Sequence, residues 1–211
     1  MSERGRPAHY LKREVVATYG ERYARGFALW KHRRKCAVLE RWLRPMPDVL
    51  EVACGPGRFH EVTRGRSAPA GRRYVGVDRS LAMLESYRAA HPTAWLVVAD
   101  ASALPFAEAS FHAVLCVRFV THLRGDFRRR VLSELRRVAS DAVMIDHRHL
   151  YNLRTLSRWL RFRVGLAHAQ KLRHSYRAIE QELNDAGLQL VETRSIAWGL
   201  SARVLLRATR K

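Results

Sequence analysis

The sequence predicts an α/β domain built on one doubly wound, mostly parallel sheet with helices on both faces. Three observations carry that reading. Short apolar runs of four or five residues recur along the chain, as fully buried parallel strands do. Segments with apolar residues at helical spacing separate them, so strand and helix alternate. The first of these strands ends in a Gly-x-Gly turn, Gly55-Pro56-Gly57, just ahead of the next helical stretch.

The elements follow in order. Residues 1–46 read as an N-terminal helical cap. Within it Ala28, Leu29, Lys31, His32, Ala37, Val38, Trp42 and Leu43 suggest a helix stopped by Pro45 and Pro47. Apolar runs at 49–53, 74–77, 95–98, 113–117 and 142–145 are the five expected parallel strands, with helices at 81–90 and 127–138 between them. A basic segment at 150–171, holding Leu153, Leu156, Trp159 and Leu160, reads as a helical insertion or lid after the fifth strand. A helix over 175–186 should end at Gly187 in a left-handed cap. Strands at 188–193 and 202–207 then complete the sheet. With no repeat, linker or low-complexity tract, residues 1–211 form one expected domain, whose cofactor-binding core is 48–146.

Composition narrows the class. A hydrophobic fraction of 47% and five Trp suit a globular core. Cys36, Cys54 and Cys116 are odd in number and never in C-x-x-C spacing, which points away from a disulfide framework and from a zinc site. The start of the chain has no apolar stretch like that of a secretory signal. These features set the expectation of a cytoplasmic protein without a metal. The net charge of +20 favours RNA, DNA or an anionic membrane surface. Yet it arises from 34 Arg against 5 Lys, a bias that a GC-rich genome produces whatever the function. Charge alone names no partner.

The glycine turn carries the chemistry. A strand, a Gly-x-Gly turn and a helix present backbone N–H groups to a ligand, and glycine removes side chains where that ligand approaches. Asp78 ends the second strand, where an acid accepts hydrogen bonds from ribose hydroxyls. Asp100 ends the third, where a carboxylate can face the amine edge of adenine. A dinucleotide fingerprint needs a third glycine at position 60, which is His60. Glu51, two residues before Ala53, would repel a pyrophosphate. An adenosyl ligand without phosphate, S-adenosylmethionine, fits better.

On these residues the chain resembles the class I S-adenosylmethionine-dependent methyltransferases. The stretch V-L-E-V-A-C-G-P-G-R-F at 49–59 is similar to their first motif, V-G-V-D-R-S at 75–80 to the second and A-D-A-S-A-L-P-F at 99–106 to the third. The stretch F-H-A-V-L-C-V-R-F-V-T-H-L at 111–123 resembles the small-molecule branch that includes ubiquinone and menaquinone C-methyltransferases. The resemblance implies a Rossmann-like sheet of the seven-stranded methyltransferase type. It implies that Glu51, Ala53, Cys54, Gly55 and Gly57 hold the methionine portion, and that Asp78, Arg79, Ser80 and Met83 hold the ribose end. Asp100 and Ala101 would read adenine, and Val117 and Arg118 would pass beneath the cofactor. Two departures stand out. Ala53 replaces the first glycine of the longer motif, and Val138-Ala139-Ser140-Asp141 lacks the family's glycine pair before strand five.

The sulfonium is already an electrophile, so the protein supplies position and, for some acceptors, a base. Candidate bases are His122, in the loop after strand four, and Asp146, His147, His149 and Tyr151, after strand five. Cys116-Val117-Arg118-Phe119 stands where base-amine methyltransferases carry Asn/Asp-Pro-Pro-aromatic, which favours a small-molecule or lipid-like acceptor over nucleic acid. The alternatives are an RNA methyltransferase using the basic surface, and a non-catalytic cofactor-binding module. The 150–171 segment, as an amphipathic basic helix, would suit peripheral docking on the inner face of the membrane.

Overall fold

A computed structural model describes residues 25–65, 72–149, 175–197, 201 and 203–211. Its centre is one seven-stranded sheet in the order β3-β2-β1-β4-β5-β7-β6. The strands are β1 (Asp48–Val52), β2 (Arg73–Asp78), β3 (Trp95–Val98), β4 (Phe111–Cys116), β5 (Ala139–Arg148), β6 (Leu188–Ser195) and β7 (Arg203–Arg210). The first five pair in parallel, and β7 inserts antiparallel between β5 and β6. Five α-helices flank the sheet among the described residues: α1 (Gly26–Leu43), α2 (His60–Arg64), α3 (Leu81–Ala90), α4 (Gly125–Val138) and α5 (Tyr176–Asp185). None of the described helices is long and apolar enough to cross a membrane. The expected lid at 150–171 and Tyr151 lie outside the described residues.

Strand alternation divides the core. Leu50, Val52, Val75, Val77, Val143 and Ile145 face one side, where Val131 and Leu135 of α4 and Ile179 and Leu183 of α5 cover them. Val49, Tyr74, Leu115 and Met144 face the other, under Leu39 and Trp42 of α1, Val62 of α2 and Leu84 of α3. Both faces are dry, so the central strands read as continuous apolar runs. The chain builds outward from β1 to β3, then returns to place β4 on the other side of β1. That reversal opens a crevice at the carboxyl ends of β1 and β4, where ligands bind in this architecture.

Local chemistry sets the helix ends. Ser80 and Ser175 cap α3 and α5 by accepting from the N–H of Met83 and Ala178. Gly187 follows α5 with φ +73°, as its position predicts. Arg72 donates from Nε to the Met46 carbonyl at 2.9 Å and from Nη2 to that of Leu43, satisfying acceptors at and just beyond the end of α1.

The missing glycine pair has a structural counterpart. Helix α4 ends at Val138 and β5 begins at Ala139 with no intervening loop, the Ala139 N–H still bonded to the Leu135 carbonyl. The fifth strand is consequently ten residues long rather than the four expected. Val117, expected within the fourth strand, lies just past it, and a 3-10 turn at Val120–His122 follows.

Candidate functional site

The turn after β1 is held in left-handed backbone. Ala53, Gly55 and Gly57 have φ of +57°, +59° and +82°. Ala53 therefore keeps the conformation that a glycine would adopt there, at a cost of about 1–2 kcal/mol for its Cβ. The two glycines answer different needs. Among the described residues, a Cβ at Gly55 would meet no atom within 4 Å, so backbone lies open there. A Cβ at Gly57 would sit 2.5 Å from Cε2 of the Tyr87 ring. Gly57→Ala is expected to destabilise the fold by about 3 kcal/mol, combining overpacking with left-handed strain. Gly55→Ala should lose only the strain. Urea denaturation of the two variants checks this, and equal losses would refute the packing role of Gly57.

Asp78, at the end of β2, is 3% exposed. Its Oδ2 accepts from the Gly55 N–H at 2.9 Å and its Oδ1 from the Ser80 N–H at 2.9 Å. One carboxylate thus ties the glycine turn to the start of α3. Asp100 accepts at Oδ1 from the N–H and hydroxyl of Ser102, at 3.0 and 2.8 Å, which shapes the turn after β3.

A cavity opens between these carboxylates, bordered by Ala53, Asp78, Arg79, Asp100 and Ala101. All five were singled out by sequence. Its apolar walls were not: Val52, Val77 and Ala99 come from strand ends, while Phe119 comes from the β4–α4 connection and Phe127 from the first turn of α4. The aromatic side chains after the fourth strand were the available signal. Cys54, Met83 and Val117 are buried beside the cavity elements and do not line the cavity.

Glu51 does not line it either. Its side chain points to the opposite face of β1 and accepts from the Tyr74 hydroxyl at 2.9 Å. Tyr87 in turn donates to the Tyr74 hydroxyl at 2.8 Å. Burial pushes the Glu51 carboxyl up to about 8, and nearby Asp78 adds to the rise, while the Tyr74 hydrogen bond and Arg58 oppose it. Sequence reasoning found Glu51 but missed both tyrosines.

The candidate bases do not converge. Asp146 and His147, neighbours in β5, leave on opposite faces. Asp146 is fully buried beneath α1, where Lys35 reaches Oδ2 at 3.5 Å and Arg203 reaches it at 3.0 Å. The Arg118 N–H donates to Oδ1 at 2.6 Å, and Arg118 holds φ +68° to do so. Burial alone would raise this carboxyl, but Lys35, Arg203 and the Arg118 amide bring it down to about 2. A carboxylate so strongly held is a poor proton acceptor near neutrality. Lys35, missed in the sequence, sits as a cation on the otherwise apolar face of α1.

His147 is 2% exposed, with Nε2 2.6 Å from Arg128 Nη2. Arg128 also pairs with Glu182 of α5 and donates to the Val120 carbonyl at 3.0 Å. Burial would raise the Glu182 carboxyl, but nearby His147 and the hydrogen bonds from Arg128 bring it down to about 2. The His147 ring is therefore locked in a network joining β5, α4 and α5. His149 is buried and stacks on Tyr176, with centroids 5.4 Å apart. His122 closes the 3-10 turn after β4 and is half-buried.

Comparison with known proteins agrees with this geometry. The methyltransferase domain family matches residues 50–143. A protein named "Putative methyltransferase" from Encephalitozoon cuniculi is 39% identical over 94 residues, a stretch that is 44% of this chain and 40% of that protein. The chain thus matches less than half the length of this relative. Among solved structures, magnesium protoporphyrin IX methyltransferase from Synechocystis PCC 6803, with bound S-adenosylhomocysteine, superposes with a TM-score of 0.74 at 17% identity. The likeness covers 96% of this chain and 97% of that one. A Thermotoga maritima structure described as an S-adenosylmethionine-dependent methyltransferase, "possible histamine N-methyltransferase", gives 0.65 at 17% identity, covering 97% of this chain and all of its own.

The fold is that of the class I S-adenosylmethionine-dependent methyltransferases, and residues 50–143 match the methyltransferase domain family. Within that class the matched relatives differ in their named acceptors.

Proposed function

We propose that the protein transfers the methyl group of S-adenosylmethionine to a small-molecule acceptor. The observation that carries this reading is the apolar cavity between two carboxylates, reached over a turn whose Gly55 presents bare backbone. The cofactor supplies an electrophilic methyl group on a sulfonium. Asp78 accepts from the ribose hydroxyls, while Asp100 and the backbone at Ala101 face the adenine edge. Val52, Val77, Phe119 and Phe127 exclude water from the rings and strengthen those polar contacts. The backbone at Ala53, Gly55 and Gly57 cradles the methionine portion, and Glu51 fixes the turn from behind through β1 and β2. His122, half-buried at the carboxyl end of β4, is the group we assign to any proton removal from the acceptor. Asp146 and His147 are structural in this reading. The small-molecule acceptor is supported by the motif resemblance at 111–123.

Calorimetry with S-adenosylhomocysteine tests the proposal. Saturable binding to the full chain is expected, with Asp78→Ala weakening it about 100-fold through loss of charge-assisted hydrogen bonds. Asp78→Asn, which keeps one acceptor oxygen for the Gly55 N–H, should fall between them. No binding at millimolar ligand, or an unchanged affinity in Asp78→Ala, refutes the reading.

A further inference from the structure

On the face of the sheet that Glu51 enters, the first residue of α2 meets the residue that caps α3. The rings of His60 and His91 lie nearly parallel, with centroids 3.6 Å apart and 18° between planes. Glu61 follows His60 in the same turn. One ligand atom from each of the three residues falls within 4.8 Å of the others. His60 and His91 are half-buried and Glu61 is exposed.

Hydrogen-bond direction determines the His60 tautomer. The Tyr74 hydroxyl spends its only proton on Glu51 Oε2, at 2.9 Å. It must therefore accept from Tyr87, whose hydroxyl lies 2.8 Å away. The Tyr87 proton is then spent too, so this hydroxyl accepts from His60 Nδ1, 2.9 Å distant. The Nδ1 proton leaves the Nε2 lone pair as the donor atom of His60. An imidazole that ligates through one nitrogen while the other donates to an outer partner is how metal-binding histidines are oriented. Tyr87 cannot drift, being fully buried with its ring against Gly57.

We propose that His60, Glu61 and His91 form a three-ligand site for a zinc-class divalent cation, oriented by the Tyr87–Tyr74–Glu51 chain. Two imidazoles and one carboxylate suit zinc or cobalt(II) and leave a position for water, whereas magnesium and calcium require oxygen donors. The parallel rings hold their lone pairs side by side. Ligation turns His91 until the two nitrogens converge at roughly 3.3 Å, the separation set by tetrahedral zinc–nitrogen bonds. His91 stands at the C-terminal end of α3, half-buried and edge-on to the Tyr87 ring. The bound ion would tie the helix that leaves the glycine turn to the far end of α3. The site stands independently of methyl transfer.

The full chain, stripped of metal by chelator, is titrated with zinc by calorimetry and with cobalt(II) by visible ligand-field absorption. One ion per chain is expected, with cobalt absorption of a mixed nitrogen–oxygen site. His91→Ala and Glu61→Gln should each weaken binding sharply. Tyr87→Phe, which keeps the ring and removes the hydroxyl, should weaken it about 10- to 100-fold, as loss of outer-shell partners does. Circular dichroism establishes that each variant is folded. The chain has ten histidines. Zinc binding unchanged in His91→Ala would place the ion elsewhere and overturn the proposal, as would the absence of saturable binding. Unchanged affinity in Tyr87→Phe would overturn the orienting chain.

Discussion

Asp146→Asn should cost the protein about 3–5 kcal/mol of folding stability, because it strands a buried lysine. Lys35 is 4% exposed, and burial is the main influence that lowers its ammonium to about 8. Asp146 pulls it back up, while Arg203, Arg58 and Arg118 push it further down. With the carboxylate neutralised, nothing in that balance favours the charged amine, and Lys35 either sheds its proton or distorts α1 to reach water. Urea denaturation at pH 7 measures the loss as a lower midpoint at unchanged slope. A variant within 1 kcal/mol of wild type would show that the pair holds nothing together. The double variant Lys35→Met/Asp146→Asn should recover part of the loss, since it removes the stranded ammonium, while Arg203 still loses its carboxylate partner. Acid gives the same information without mutation. The Asp146 carboxyl lies below its ordinary 3.8, so its contribution is present above that value and is lost as pH falls toward 2.

Glu51→Gln should act in the opposite sense and make the protein more stable in base. The folded Glu51 carboxyl titrates near 8 against an ordinary 4.5. Below the lower value both states are protonated, and substitution changes little. Between the two, the unfolded chain releases a proton that the folded one retains, so wild-type stability falls as pH rises. Above 8 the decline levels off, after a total of about 5 kcal/mol. Gln carries no such proton, and its amide oxygen can still accept from the Tyr74 hydroxyl. The variant should therefore match wild type at pH 4 and exceed it by several kcal/mol at pH 9. Thermal melts across that range test it. Parallel pH profiles for the two proteins would mean that Glu51 is not the group responsible.

The two acids illustrate what sequence reasoning can reach. Both end up buried and both were candidates for the site, yet their environments drive them apart by opposite routes. Around Glu51 lie two tyrosine hydroxyls and the carboxylate of Asp78. Around Asp146 lie Lys35, Arg203 and a backbone amide. Those neighbours come from residues 23 to 111 positions away in sequence. No local pattern announces them. Lys35 in particular reads, on a helix rich in Lys and Arg, as one more solvated cation.

Elsewhere the local signals were sufficient. Apolar runs bounded by turn residues place all seven strands to within a few positions, and the central ones, buried on both faces, must be apolar throughout. Gly187 ends its helix where a left-handed cap was predicted, and Asp78 and Asp100 fall at strand ends beside the cavity. The exception at β5 is also physical. Without glycines to break it, the chain passes from α4 into the strand in one residue and extends the pairing with β4 and β7.

By itself the sequence determined the fold class, the glycine turn and the two carboxylates that border the cavity, since each depends on periodicity or on short-range spacing that backbone geometry enforces. The tertiary structure decided what those groups can do. It turned Glu51 away from the cavity, committed Asp146 and His147 to buried ion networks on opposite faces, and brought His60 beside His91. Protonation, pairing and convergence depend on through-space neighbours at a few ångströms, and only folding sets which residues those are.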